Sequence, residues 1–65
     1  MNFGKNLRAE RERQGITQQD LAARVGITQG VIAQYELGSK SPSVVTAEAI
    51  ADALGVKLEK LLKGG

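Results

Sequence analysis

The side chains best suited to recognising another molecule are hydroxyls and amides in one short segment. Thr28, Gln29 and Gln34 follow one another closely, with Gly30 between them. A carboxamide carries two N–H donors and one oxygen acceptor, so it can form a bidentate pair with N6 and N7 of adenine in the major groove of DNA. These groups could therefore read base edges, provided that a helix presents them outward.

Catalytic and metal chemistry have little support in this sequence. The chain contains neither histidine nor cysteine, so it has no imidazole base, thiolate nucleophile, disulfide or usual zinc ligand set. Its seven carboxylates are spread over segments rich in Lys and Arg, and no serine lies beside a plausible base. Residues 38–41 contain one glycine and follow a predicted helix instead of a strand, unlike a phosphate-binding loop. We expect no enzymatic activity, no metal and no cofactor.

Length and composition limit the fold. Sixty-five residues predict one domain over residues 1–65, near the lower size limit for folding without disulfides or metals. Apolar residues make up 42% of the chain and aromatics only 3%, so the core must be aliphatic. The net charge of +2 permits a polyanionic partner without requiring one. No membrane span or signal peptide is expected, and the lack of cysteine fits the cytoplasm.

Four internal glycines, at positions 15, 26, 38 and 55, follow apolar or amphipathic stretches, and Thr or Ser follows three of them. Glycine ends helices and hydroxyl side chains start them, so this spacing predicts an all-α fold. The predicted helices cover residues 3–14, 18–25, 29–37, 44–54 and 57–63. The fourth is so apolar that we expect it at the centre of the fold. The charged residues of the first helix are interpreted as a solvated face, in preference to a phosphate clamp formed by its cations: Lys5, Arg8, Glu10, Glu12 and Arg13.

Residues 17–36 have the features of a helix-turn-helix. Two short predicted helices are joined by only three or four residues, with the small Ala22 where they would cross and Gly26 in the turn. The inside of the corner would be closed by Leu21, Val25, Ile27 and Ile32. The second helix, residues 28–37, would then face outward and could enter a major groove.

The sequence also resembles the Cro and lambda-repressor-like (XRE-type) helix-turn-helix domains over residues 3–62. The matching residues are Leu7-Arg8, Arg11, Gly15-Ile16-Thr17-Gln18-Gln19-Asp20-Leu21-Ala22, Val25-Gly26-Ile27-Thr28-Gln29, Ile32-Ala33-Gln34-Tyr35-Glu36, Gly38, Pro42-Ser43 and Ile50-Ala51-Asp52-Ala53-Leu54-Gly55-Val56. The resemblance implies a compact five-helix lambda-repressor-like domain whose third helix enters the major groove. It also implies sequence-specific binding of double-stranded DNA by a transcriptional regulator, with a repressor favoured over an activator.

The resemblance also implies roles for individual residues. Base reading would fall to Thr28, Gln29, Gly30 and Gln34. Phosphate binding would fall to Thr17, Gln18, Ser39, Lys40, Ser41 and, as a minor role, Arg11. Arg11 and Glu36 occupy positions at which the family often pairs a basic and an acidic residue between the first and third helices. We expect them to form a partly buried structural pair that positions the reading helix.

A domain of this size contacts few base pairs, so useful specificity calls for a homodimer on two half-sites about one helical turn apart. Leu58, Leu61 and Leu62 cannot easily all point inward on a two-turn helix. One of them would complete the core, and another is a candidate for contact with a second subunit.

An alternative function stays open. Residues 28–37 contain no cation, and Leu37 and Ser39 stand where many members of the family have Asn and a basic residue. Fewer phosphate contacts weaken binding to DNA. These features favour a protein-interaction module on the same fold, such as an antitoxin or accessory domain, with weak or no DNA binding. A third alternative is a stabilised scaffold that keeps the fold without the activity.

Overall fold

The computed structural model describes residues 2–63, which form five helices and no strand. The helices are α1 (Phe3–Arg13), α2 (Gln18–Val25), α3 (Gln29–Leu37), α4 (Val44–Leu54) and α5 (Leu58–Leu62). The all-α class and the order of the helices are as predicted. Two helices are shorter than expected, because Gln14 already caps α1 and Lys57 has extended backbone before α5. None of the helices within residues 2–63 is both long enough and apolar enough to span a bilayer.

Hydroxyl caps fix the starts of α2, α3 and α4. The Thr17 hydroxyl accepts from the N–H of Asp20 at 3.0 Å, and the Asp20 carboxylate accepts from the N–H of Thr17 at 3.1 Å. This reciprocal capping box lowers the pKa of Asp20, mainly through the backbone N–H of Thr17. Thr28 and Ser43 accept in a similar way from the N–H three residues ahead, at 3.4 and 3.2 Å. Both helices of the predicted corner therefore begin at defined residues.

The turn between α2 and α3 depends on Gly26. Its φ of +86° is left-handed, a conformation that a residue with a Cβ adopts only with strain. The N–H groups of Gly26 and Ile27 both donate to the carbonyl of Ala22, at 2.8 and 3.0 Å. Ala22 itself is buried at the crossing of the two helices. A small residue and a left-handed glycine thus produce the corner, as the sequence indicated.

The core is aliphatic, and each helix contributes one fully buried side chain to it. These are Leu7, Leu21, Ile32, Ile50 and Leu61. The only aromatic pair lies beside them, with the rings of Phe3 and Tyr35 edge to face and their centroids 6.5 Å apart. All five helices therefore depend on one shared core.

One of the three leucines of α5 was expected to complete the core, and Leu61 does so: it has no exposed surface and is therefore not the one that would contact a second subunit. Leu58 packs partly buried against the same core, and Leu62 is 38% exposed. The whole of α4 was expected at the centre, yet Val44 and Val45 in its first turn are 70% and 76% exposed. Composition alone does not show which turn of a helix extends beyond its neighbours.

Gly4 allows α1 to approach the end of α3. A Cβ at this position would lie 2.8 Å from the carbonyl oxygen of Glu36 and closer still to that of Tyr35. Since these oxygens belong to the backbone, a larger residue would push α1 away from α3. A glycine inside a helix carries no turn signal, so this role of Gly4 is not visible in the sequence.

Glu10, which was assigned to the solvated face, is buried. Its carboxylate accepts from the guanidinium of Arg13 and from Gln14 Nε2 at 2.9 Å, and Lys60 Nζ lies 3.3 Å away. Gln14 Nε2 also donates to the carbonyl of Leu54 at 2.7 Å. These contacts join α1 to α4 and α5. Against the opposing effect of desolvation, they lower the pKa of Glu10 from 4.5 to about 2, with Arg13 the largest cause.

Replacing Glu10 by Gln should lower the free energy of unfolding at pH 7 by about 1–2 kcal/mol, because charge-assisted hydrogen bonds become neutral ones. The pKa of Glu10 is depressed in the folded state. Its contribution is therefore fully present above about pH 4.5 and is lost as the pH falls towards about 2. Urea unfolding across this pH range measures both effects.

The matched control is Glu12→Gln. Glu12 also pairs with an arginine, Arg8, but its side chain is 55% exposed, so its loss should change stability by less than about 0.5 kcal/mol. Equal losses in the two variants, or an unaltered acid profile for Glu10→Gln, would contradict the structural role of Glu10.

Candidate nucleic-acid interface

The outer face of α3 carries three of the four residues expected to read bases. Gln29, Gly30 and Gln34 are exposed, whereas Ile32 and Tyr35 are buried on the opposite side. Successive residues of a helix are rotated by about 100°, so these three positions occupy a sector of about 140°. Thr28 is exposed immediately before the helix, although its hydroxyl is engaged as the cap.

A buried ion pair holds α3 against α1. Arg11 Nε donates to Glu36 Oε2 at 2.7 Å and Nη2 donates to Oε1 at 3.1 Å, so the pair is bidentate. The side chains of Arg11 and Glu36 are only 11% and 4% exposed. Arg11 Nη1 also donates to the carbonyl of Ile16 at 2.8 Å. The hydrogen bonds from Glu36 raise the pKa of Arg11, and burial opposes that effect.

The expected ion pair between Arg11 and Glu36 is thus present. Its geometry also bears on whether Arg11 could bind a DNA phosphate, which was expected as a minor role. Its guanidinium bonds to α3 on one side and to the turn after α1 on the other. Little of its surface is left for a DNA phosphate. We therefore treat Arg11 as a positioning residue.

The side-chain amides of Gln18 and Gln29 connect the pair of Arg11 and Glu36 to the outer face of α3. Gln18 Nε2 donates to Glu36 Oε1 at 3.0 Å, and Gln29 Nε2 donates to Gln18 Oε1 at 2.7 Å. A continuous set of hydrogen bonds, which we call the amide relay (Arg11, Glu36, Gln18 and Gln29), therefore joins α1, α2 and α3. Gln18 was expected to bind a phosphate and Gln29 to read a base, and their spacing in the sequence does not show that the corner brings the two amides together.

The relay leaves Gln29 able to recognise a base. A carboxamide has two N–H groups and one oxygen, and Gln18 takes only one N–H of Gln29. The remaining N–H and the oxygen are the two groups that a bidentate pair with adenine requires. Because Gln29 is already held by Gln18, binding would cost less side-chain entropy than for a free glutamine.

The residues expected to bind phosphate flank α3 on two sides. Thr17 and Gln18, at the start of α2, line an open groove of about 470 Å³ together with Gln29. On the other side, the N–H groups of Ser39 and Lys40 donate to the carbonyl of Gln34 at 3.1 and 3.3 Å, so the loop folds back onto the end of α3. Ser41 follows in the same loop and is exposed.

One exposed cation lies beside α3. Arg8 is 63% exposed and lines a groove of about 250 Å³ with Ala33 and Leu37 of α3. Arg8 was expected on a solvated face, with a phosphate clamp as the alternative, and its ion pair with Glu12 at 3.1 Å agrees with the solvated face. The sequence of α1 alone does not show that Arg8 lies next to the outer face of α3. α3, which contains no cation, thus lies between Arg8 on α1 and Lys40 in the loop that follows it.

Comparison with known proteins agrees with this arrangement. The helix-turn-helix family model matches residues 7–61. A relative from Bacillus subtilis (strain 168), the uncharacterized HTH-type transcriptional regulator YqaE, is 42% identical over 62 residues, which are 95% of this chain and 53% of that protein. The chain therefore spans about half the length of this curated relative.

Solved structures of the P22 c2 repressor have the same fold. Its DNA-binding domain in solution is 31% identical, with a TM-score of 0.92 over 98% of this chain and 84% of that one. The same repressor in complex with the synthetic operator 9T is 31% identical, with a TM-score of 0.90 over 100% of this chain and 98% of that one. Since the family model covers most of the sequence and the fold agrees throughout, this chain belongs to the helix-turn-helix family, of the Cro and lambda-repressor-like (XRE) type.

Proposed function

We propose that this domain binds double-stranded DNA in a sequence-specific manner, with α3 in the major groove, and that it regulates transcription as a repressor. The observation that carries the proposal is the amide relay, because it fixes an exposed amide at the start of α3. The names of the relatives support regulation, and the operator complex of the P22 c2 repressor supports repression. A domain with this role works in the compartment that holds the DNA, and we place it in the cytoplasm.

The dimensions of α3 suit this role. Its nine residues give a rod about 14 Å long, and the major groove is about 12 Å wide. Gln29 and Gln34 would then meet base edges, with Thr28 at the rim. Phosphates on one side would meet the start of α2, where free N–H groups and the helix dipole attract anions. On the other side they would meet Ser39, Lys40 and Ser41.

A second candidate is a protein-interaction module. The observations that favour it are the absence of cations from α3 and Leu37, which is 80% exposed at the end of that helix. An apolar side chain in this position suits a protein surface better than a phosphate. In this case α3 would contact another protein, and binding to DNA would be weak and independent of sequence.

Selection of bound fragments from a random duplex library at low salt separates the two candidates. We expect an enriched motif, because Gln29 and Gln34 offer donors and acceptors to base edges. Binding without any enriched motif, or no binding, would exclude sequence-specific recognition and leave the protein-interaction module and the inactive scaffold.

Gln29→Ala should change the preference at one or two base pairs of the selected motif by ~1–3 kcal/mol, because one bidentate contact is lost. The melting temperature should hardly change, since Gln29 is exposed and its bond to Gln18 lies at the surface. Competition binding with single-base variants of the motif measures the preference. The control Gln19→Ala makes the same chemical change on α2 and should leave it unaltered. If Gln29→Ala weakens binding to all duplexes equally, Gln29 contacts the backbone.

We also propose that the domain binds DNA as a homodimer through Val44 and Val45. These are the two neighbouring exposed apolar residues at the start of α4, whereas Leu61 is buried. Residues 38–43 connect them to the end of α3 and can span at most about 20 Å. A two-fold contact at the valines would place each α3 within reach of a half-site about 17 Å from the axis, which is half of one helical turn of DNA.

The double variant Val44→Asp/Val45→Asp tests this dimer. Acidic residues are favourable in the first turn of a helix, so the fold should be retained. Binding to a duplex with two half-sites should weaken by tenfold or more, while binding to one half-site should not change. Sedimentation with each duplex measures the number of subunits, and Leu62→Asp at the end of α5 tests the other exposed candidate for this contact in the same way. A variant that still binds two half-sites as a dimer would exclude this surface.

A further inference from the structure

Gly30 occupies an unusual place in α3. It lies in the first turn of the helix, is exposed, and has Gln29 beside it and Gln34 one turn further on. A Cβ at this position would meet no heavy atom within 4 Å, in contrast with Gly4. Its φ is not positive either, since the glycines with positive φ among the described residues are those that end helices.

The fold therefore gives no reason for a glycine at this position. Glycine inside a helix lowers the equilibrium constant for helix formation about fivefold relative to alanine. The caps at Thr28 and Gly38 and the buried Ile32 hold α3 in place despite this loss. Any advantage of glycine at position 30 must therefore concern the contact between α3 and a partner, and not the stability of the domain.

On that surface, Gly30 leaves bare backbone between two amides. Positions 29 and 34 mark the two sides of the outer sector of α3, and position 30 lies between them, together with Ala33, whose methyl group forms no hydrogen bond. A long polar side chain at position 30 would point outward into open space. In the proposed complex with DNA, such a side chain would reach a base pair between those that the two amides contact. With glycine, that base pair meets no side chain from this turn of the helix.

Gly30 was expected among the base-reading residues, but it has no side chain that could contact a base. We infer instead that Gly30 makes recognition less selective: it leaves one base pair in each half-site unread, between those that Gln29 and Gln34 contact. This inference rests on the proposed function, binding of duplex DNA through α3. The domain then accepts any base at that position, and its operators vary there.

The test compares library selections with the wild-type domain, Gly30→Gln and Gly30→Ala. The wild type should yield a half-site with one internal position at which the four bases differ by less than about twofold. Gly30→Gln should give that same position a preference of about 5- to 150-fold, the range for one bidentate amide contact, with the flanking preferences unchanged. Gly30→Ala should raise the melting temperature and change relative preferences by less than about threefold, because a methyl group forms no hydrogen bond.

A wild-type motif that specifies every position of the half-site would overturn the inference. So would a Gly30→Gln domain that binds a motif but leaves the internal position unread. In both cases the proposed function stands, because a motif is still selected. If neither the wild type nor either variant enriches any motif, the proposed function fails and the inference fails with it.

Discussion

The carboxylate of Glu36 connects the three helices α1, α2 and α3, whose relative positions set the orientation of the outer face of α3. It is 4% exposed and accepts from Arg11 through both oxygens and from Gln18 through one. A charge removed from water is tolerated only when it is well paired, and losing one partner leaves an uncompensated buried charge. The positions of α1 and α2 relative to α3 are therefore fixed together, through one group that needs both neighbours.

This buried ion pair fixes the rotation of α3, which an aliphatic core cannot fix alone. The five central side chains, one from each helix, are branched hydrocarbons whose attraction has no direction. They hold the helices together without specifying the rotation of α3. Hydrogen bonds are directional, and the amide relay runs from the buried pair to the surface at Gln29. The close contact at Gly4 holds the other end of α3, so its outer face is fixed at both ends.

Much of the fold could be predicted because its signals are local. Hydroxyl caps, left-handed glycines and the apolar spacing around Ala22 each depend on a few neighbouring residues, and the corner over residues 17–36 followed from them. The pairing of Arg11 with Glu36 came from the resemblance to the family, since 25 positions separate the two residues.

The remaining features depend on which surfaces of different helices meet, and periodicity carries no such information. Glu10 was assigned to the solvent because only apolar residues were counted as facing inward, although α5 supplies Lys60 to its carboxylate. For the same reason the contact between Gln18 and Gln29 was missed. The burial of Leu61 and the exposure of Val44 depend on where neighbouring helices end, which the sequence of one helix does not show.

The central claim is that the buried pair orders the recognition amide before any partner binds. It is tested most directly by NMR relaxation of the glutamine side-chain ¹⁵N nuclei in the free wild-type domain, with the exposed Gln19 on α2 as the internal reference. The order parameters of Gln18 and Gln29 should be closer to the value of about 0.85 for rigid backbone than to the values below about 0.6 for flexible groups. Gln19 should fall in the flexible range. If Gln29 were as mobile as Gln19, the relay would not order it, and the account of how this fold prepares α3 for recognition would be contradicted.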